Sequence, residues 1–384
     1  RDCLLSRGLG DVYKRQGPWC AAYVDAGAGT VEGLEAAEVR PGNVRNAAAA
    51  QGAPPADLEA IETAVDPARG VPGPVSRFVL VRDGTVELNE LLPGPLVTPK
   101  QIHVGPVPDL LPLFKHRPEE FPYIVADVSR EGGEIRLEYV GRPGVASVGD
   151  VEGSTEDIHK LSTGIWGQDK LQRRTEEVWR RNADEVAAQI DRIADASGVK
   201  LIVLAGDVRA RGLVLDQLAE AHKPLAGMLD SHTRTGGPHQ DSFEDRVREL
   251  IALRWAAEQE QIMDRLALQQ GQANPESAQG IGAVVHALQQ AQVDVLILND
   301  NALADRTLLA LGAEPWVATA EEQALGVEVL GKVPASAALL RAAALTDASL
   351  LLVPNGVLPD GVGVAALLRW QTGPNAPGGN ASLP

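Results

Sequence analysis

Leu171, Thr175, Val178, Asn182, Val186, Ile190 and Ile193 recur every three or four positions between Asp169 and Ala196. That spacing predicts one long helix with a buried stripe and a polar back. Directly after it, Val199 to Leu204 is a continuous apolar run of strand length, which needs cover on both faces. Arg209 to Ala221 then returns to a helical pattern. The only economical packing for such an order is a covered sheet with helices laid against it.

The remaining segments extend this reading. Trp19 to Asp25 predicts a strand, followed by a broken, Ala-rich helical stretch through Ala50 and a helix from Asp57 to Val65. Arg77 to Arg82 and Thr85 to Leu91 predict a hairpin about Asp83-Gly84; Phe121 to Val128 and Glu134 to Val140 predict a second about Glu131-Gly132-Gly133. Gly144 to Ser162 reads as a polar connector and Thr235 to Gln240 as a linker. Ser242 and Asp245 open a long helix toward Leu268. Helix 282–290, strand 293–298, helix 335–345, strand 349–353 and helix 363–370 then predict a third domain, an α/β sandwich. The first sixteen residues, RDCLLSRGLGDVYKRQ, lack Met and show neither period. They look like translated sequencing-adapter read-through and are expected to add nothing to the fold, with the native start missing.

Composition narrows the class of function. The 384 residues hold 52 acidic side chains against 35 Lys and Arg, a formal charge of −17. A general nucleic-acid coat protein would be basic, so any RNA contact must be local. Cys3 and Cys20 are the only thiols, too few for a disulfide framework or a cysteine zinc site. With no apolar run near the roughly 20 residues of a membrane span, the expectation is a cytoplasmic protein without membrane contact.

Charge is concentrated at one place. From Lys160 to Arg181, Lys160, Lys170, Arg173, Arg174, Arg180 and Arg181 outnumber Asp169, Glu176 and Glu177. A hydroxyl- and Gly-bearing loop containing His159-Lys160 and ending Trp166-Gly167-Gln168 runs straight into this helix. Guanidinium groups hold phosphates bidentately, Gly167 permits close backbone approach, and Gln168 can orient water or donate to an oxyanion. His159 can touch RNA or move a proton. The plainer reading is a connector followed by a solvated helix face, and spacing alone leaves both open. His232 and His239, beside Asp230 and Asp241, fit no common metal spacing. Gly280-Ile281-Gly282 and Gly361-Val362-Gly363 read as tight turns before helices, so neither a metal nor a cofactor is expected.

The loop, the Gly167-Gln168 pair, the helix ending RRNADEVAAQI, the strand LIVLAGDVRAR and the later GIGAVVHALQQAQVDVLIL resemble archaeal and eukaryotic class-one peptide-chain release factors and their relative Pelota. EGSTEDIHK and WRRNADEVA resemble the actinobacterial branch of bacterial release-factor-like proteins, among them homologues of the hibernation factor Balon. The likeness runs from about Trp19 to Trp370. It implies an α/β (α+β) fold of three domains with mixed sheets covered by helices: 17–120, 121–234 with the loop and basic helix, and 235–370, before a disordered tail at 371–384. In that family a Gly-Gly-Gln loop enters the peptidyl-transferase centre and helps water cleave peptidyl-tRNA. Gly167 matches the second Gly and Gln168 the Gln, but Trp166 stands where the first Gly belongs, and its indole restricts the turn. Trp166 can instead stack on a base or anchor the loop to the core. The codon-reading Asn-Ile-Lys-Ser motif has no counterpart between Trp19 and Glu120. The resemblance therefore implies an A-site ribosome binder, a stress or dormancy hibernation factor without stop-codon reading. It would contact rRNA at the decoding and peptidyl-transferase centres, tRNA, and an elongation-factor-Tu-like GTPase. His159, Lys160, Trp166, Lys170, Arg173, Arg174, Arg180 and Arg181 would face RNA. The alternative is a peptidyl-tRNA hydrolase in ribosome rescue, with Gly167 and Gln168 catalytic.

Overall fold

The computed structural model describes residues 9–15, 17–28, 31–68, 71, 74–116, 121–140, 147–152, 168–229, 238–269, 272 and 275–371. Residues 120–261 form one compact unit, and residues 2–119 with 262–384 form another. The expected disordered tail lies, beyond Gln371, outside the described residues.

In the second unit a short helix, α1 (Leu9–Lys14), leads to β1 (Trp19–Asp25), α2 (Val31–Ala50), α3 (Pro55–Ala64), β2 (Val75–Arg82), β3 (Thr85–Pro93), β4 (Gln101–Gly105) and α4 (Leu111–His116). The strands form an antiparallel sheet in the order β3-β2-β1-β4. Strand β1 alternates between two cores. Cys20, Ala22 and Val24 meet Val44, Ala48 and Ile61 on one face, while Trp19, Ala21 and Tyr23 meet Phe78, Leu80 and Leu110 on the other. Burial, with the charge of Asp57 adding, pushes the Cys20 thiol up to about 12, so it behaves as an apolar filler and not as a nucleophile. The hairpin turn is as expected: Asp83 and Gly84 have φ of 50° and 72°, and the Gly84 amide donates to Asp57 Oδ1 at 2.6 Å. The stretch expected to add nothing does fold in part. Tyr13 of α1 is fully buried among Trp19, Phe78 and Leu340, because an aromatic ring beside an apolar crevice gains more from burial than its weak helical pattern suggests.

The first unit contains β5 (Pro122–Ser129), β6 (Gly132–Tyr139), β7 (Ser147–Glu152), α5 (Gln168–Ser197), β8 (Leu201–Gly206), α6 (Val208–Gln217), β9 (Ala226–Met228) and most of α7 (Pro238–Gln269). Its sheet runs β7-β6-β5-β8-β9, antiparallel at the hairpin and parallel from β5 through β9. Ile124, Ala126, Val128, Ile135, Leu137, Ile202 and Leu204 face α5 and α6. Val125, Leu201 and Val203 face Val247, Ile251 and Trp255 of α7 on the other side. The covered sheet expected from the apolar run at 199–204 is thus present. Strand β7 lies inside the stretch read as a connector, since its polar sequence hides a strand that only pairing with β6 stabilises. Helix α7 begins at Pro238, inside the stretch read as a linker.

The remainder of the second unit contributes the last turns of α7, then β10 (Ser277–Gln279), α8 (Ile281–Gln289), β11 (Val293–Leu298), β12 (Thr307–Leu311), β13 (Val317–Ala318), β14 (Val329–Pro334), α9 (Ala335–Leu345), β15 (Ser349–Leu352) and β16 (Val364–Leu368). The main sheet is β10-β16-β11-β15, and β12 to β14 form a small three-stranded sheet. The helix expected at 363–370 is a strand. All five residues of β16 are buried and pair with β10 and β11, so the run Val-Ala-Ala-Leu-Leu is apolar on both faces as an inner strand must be. Gly363 consequently precedes a strand, and a Cβ there would press on Leu303 Cδ2 at 2.6 Å.

Candidate functional site

Helix α5 is built from two unequal faces. Asn182, Ala183, Val186, Ala187, Ile190 and Ala194 are buried against the sheet, while Glu176, Glu177, Arg180, Arg181, Asp184 and Glu185 are exposed. At the buried stripe Asn182 Nδ2 donates to the Arg130 carbonyl at 3.0 Å, tying the helix to the turn between β5 and β6. From the same turn the Arg130 guanidinium lies 4.5 Å from the centre of the Trp179 ring, and its Nε sits 3.2 Å from Asp207 Oδ2.

Asp207 completes this arrangement. Its Oδ1 accepts from the amides of Arg209 at 2.9 Å and Ala210 at 3.1 Å, capping α6. Burial alone would raise the Asp207 carboxyl, but the two amides and the Arg130 guanidinium together hold it below the usual carboxylate range. Just before it, Gly206 has φ of 97°, and any Cβ there would collide with the Val128 carbonyl. The chain can thus turn from β8 into α6 tightly against β5 only with glycine at this point.

The result is a surface cleft of about 730 Å³ between α5 and α6, lined by Glu176, Glu177, Trp179 and Arg180 on one wall and Val208, Arg209, Gly212, Leu213 and Asp216 on the other. It lies next to the carboxyl ends of the parallel strands β5 and β8, where open α/β sheets commonly bind partners. Arg180, Arg181 and Arg209 are exposed and make no ion pair among the described residues.

The sequence-predicted residues fall into three groups. Arg180 and Arg181 are placed on the exposed face of α5. Gln168, Lys170, Arg173 and Arg174 belong to the α5 backbone, and their side chains lie outside the described residues. His159, Lys160, Trp166 and Gly167 lie outside them altogether, as does His232. Among the described residues no cluster of three His, Cys, Asp or Glu could hold a metal. No helix among them is long and apolar enough to cross a membrane. Sequence reasoning missed Trp179, Arg130, Asp207 and Arg209. The signal was the Gly-Asp-Val-Arg run after an apolar strand, where an acidic residue marks a helix cap.

The hairpin-opened mixed sheet and the long helix that follows it are the part of the chain that matches a known family. Residues 122–272 match the family described as Bacterial archaeo-eukaryotic release factor family 2. The chain is 28% identical over 359 residues to "Uncharacterized protein Rv2629" of Mycobacterium tuberculosis (strain ATCC 25618 / H37Rv), covering 92% of this chain and 94% of that one. Among solved structures it is similar to the archaeal translation termination factor aRF1, at 15% identity and a TM-score of 0.26, over 95% of this chain and 97% of that one. It is also similar to Dom34 of S. cerevisiae, at 11% identity and a TM-score of 0.42, over 78% and 81%.

Proposed function

We propose that this protein binds the ribosomal A site without reading a stop codon and acts as a hibernation or protection factor. The observation that carries the reading is the exposed pair Arg180 and Arg181, unpaired among the described residues, on the long helix of a release-factor-like unit in a chain of charge −17. Arginines left without carboxylates in so acidic a protein are free to take phosphates. Lys160, Lys170, Arg173 and Arg174 extend the same basic segment, with His159 and Trp166 in the preceding loop meeting RNA at or near the peptidyl-transferase centre. The N-terminal part would lie toward the decoding centre and the C-terminal part toward an elongation-factor-Tu-like GTPase. Such a factor works where ribosomes are, in the cytoplasm.

A second reading is favoured by the retained Gly167-Gln168 pair: hydrolysis of the peptidyl-tRNA ester, with Gln168 orienting the attacking water. Trp166 in place of a glycine argues against it. The test is release of labelled peptide from peptidyl-tRNA on purified 70S ribosomes by wild type and Gln168→Ala, with co-sedimentation of the same samples. Binding without release is the expected result. Release that depends on Gln168 would replace the protection reading with the hydrolase, and absence of both would remove the ribosomal assignment.

A further inference from the structure

The cleft between α5 and α6 has a chemistry distinct from the basic segment beside it. Its edge is formed by Val208, which is 72% exposed although it opens a helix packed on the core, and by the half-buried Leu213 and Trp179. The Trp179 ring is held in place from behind by the Arg130 guanidinium, itself fixed by Asp207. The apolar floor is therefore rigid before anything binds, which lowers the entropic cost of docking. Around it stand Glu176, Glu177 and Asp216 with Arg180 and Arg209, both signs present and none of them in an ion pair among the described residues.

We infer that this cleft is a docking site for a polypeptide segment of a ribosome-bound protein, one that brings an apolar side chain flanked by a carboxylate and a basic residue. This rests on the ribosome-binding reading above. Charge complementarity selects the occupant. An RNA backbone entering the cleft would find two guanidiniums but three carboxylates facing its phosphates, whereas a mixed-sign peptide pairs with both sets. The apolar edge supplies what a polyanion does not use: a Trp and an Arg at the centre of a partly apolar patch are the residue types that dominate protein–protein contacts. Arg180, at the border of cleft and basic segment, serves both faces, so the test is built on Val208 and Arg209.

The photo-reactive residue p-benzoylphenylalanine is placed at position 208 in the full-length chain and irradiated on purified 70S ribosomes, with and without Arg209→Glu. Both positions are exposed, so folding is retained, which circular dichroism verifies. The expected product is an adduct to one defined protein segment, falling at least about fivefold with Arg209→Glu while co-sedimentation persists. An adduct to rRNA would overturn the polypeptide occupant in favour of RNA. Co-sedimentation with no adduct, or an adduct indifferent to Arg209→Glu, would overturn the cleft proposal and leave the ribosomal reading standing. Loss of co-sedimentation by the unsubstituted chain would overturn both.

Discussion

Helices α5 and α9 use their arginines in opposite ways. Arg341 of α9 is 1% exposed; its Nε donates to the Tyr13 carbonyl at 3.1 Å and its Nη1 to the Leu311 carbonyl at 2.9 Å, with the Trp316 ring centre 5.5 Å away. Burial lowers the guanidinium to about 10, against the opposing influence of Tyr13, and its Nη2 has no hydrogen-bond partner. That cation is structural: it ties the Tyr13 carbonyl of α1 to the Leu311 carbonyl at the end of β12. Arg180 and Arg181 of α5 are exposed and have no partner among the described residues. The difference teaches that a guanidinium is informative about function where the fold makes no use of it.

The strongest way to break this contrast is charge reversal of Arg173, Arg174, Arg180 and Arg181 together. Ribosome affinity should fall by more than about a thousandfold near physiological salt, and the salt dependence of binding should flatten. The denaturation midpoint should stay where it is. Binding that survived would place the docking face elsewhere. The mirror experiment is Arg341→Ala, which strands buried carbonyls and opens a void. Chemical denaturation should show a loss of about 3 kcal/mol with ribosome affinity of the folded fraction unchanged. A loss under about 1 kcal/mol would mean that the burial of Arg341 contributes little, and the contrast between the two helices would collapse.

What the sequence revealed follows the same division. Period-3.6 stripes and turn-flanked hairpins carry their signal locally, so α5, β2, β3, β5 and β6 were legible, while β1 and β8 were legible as short runs of strand length. Strand β16 was not: Val364 to Leu368 is apolar at every position, and such a run has no period that separates helix from strand. Strand β7 and the small sheet of β12 to β14 are held by pairing with neighbouring strands rather than by their own composition. Arg180 and Arg181 were legible as charge, but the cleft beside them was not. It exists because Asp207 caps α6 and also holds Arg130 against Trp179, three residues separated by as many as 77 positions, and no local window contains them.

That junction gives the smallest and sharpest test, because it supports the binding face without belonging to it. Asp207→Ala removes the cap of α6 and the partner of Arg130, and should cost about 1 kcal/mol of stability at neutral pH. The pH dependence follows from the sign of the shift. The folded Asp207 carboxyl is held below its ordinary value, so its contribution is complete above about pH 4 and is lost as the pH falls through the depressed folded value. The stability difference between wild type and Asp207→Ala should therefore be flat from about pH 8 to 5 and shrink below about pH 4. Asp207→Asn keeps a competent cap without the charge, so it should recover most of the neutral-pH loss and show little of the acid-side narrowing. If Asn rescued nothing, the ion pair with Arg130 and not the cap would be what holds α5 and α6 apart, and the cleft would depend on charge for its shape as well as for its occupant.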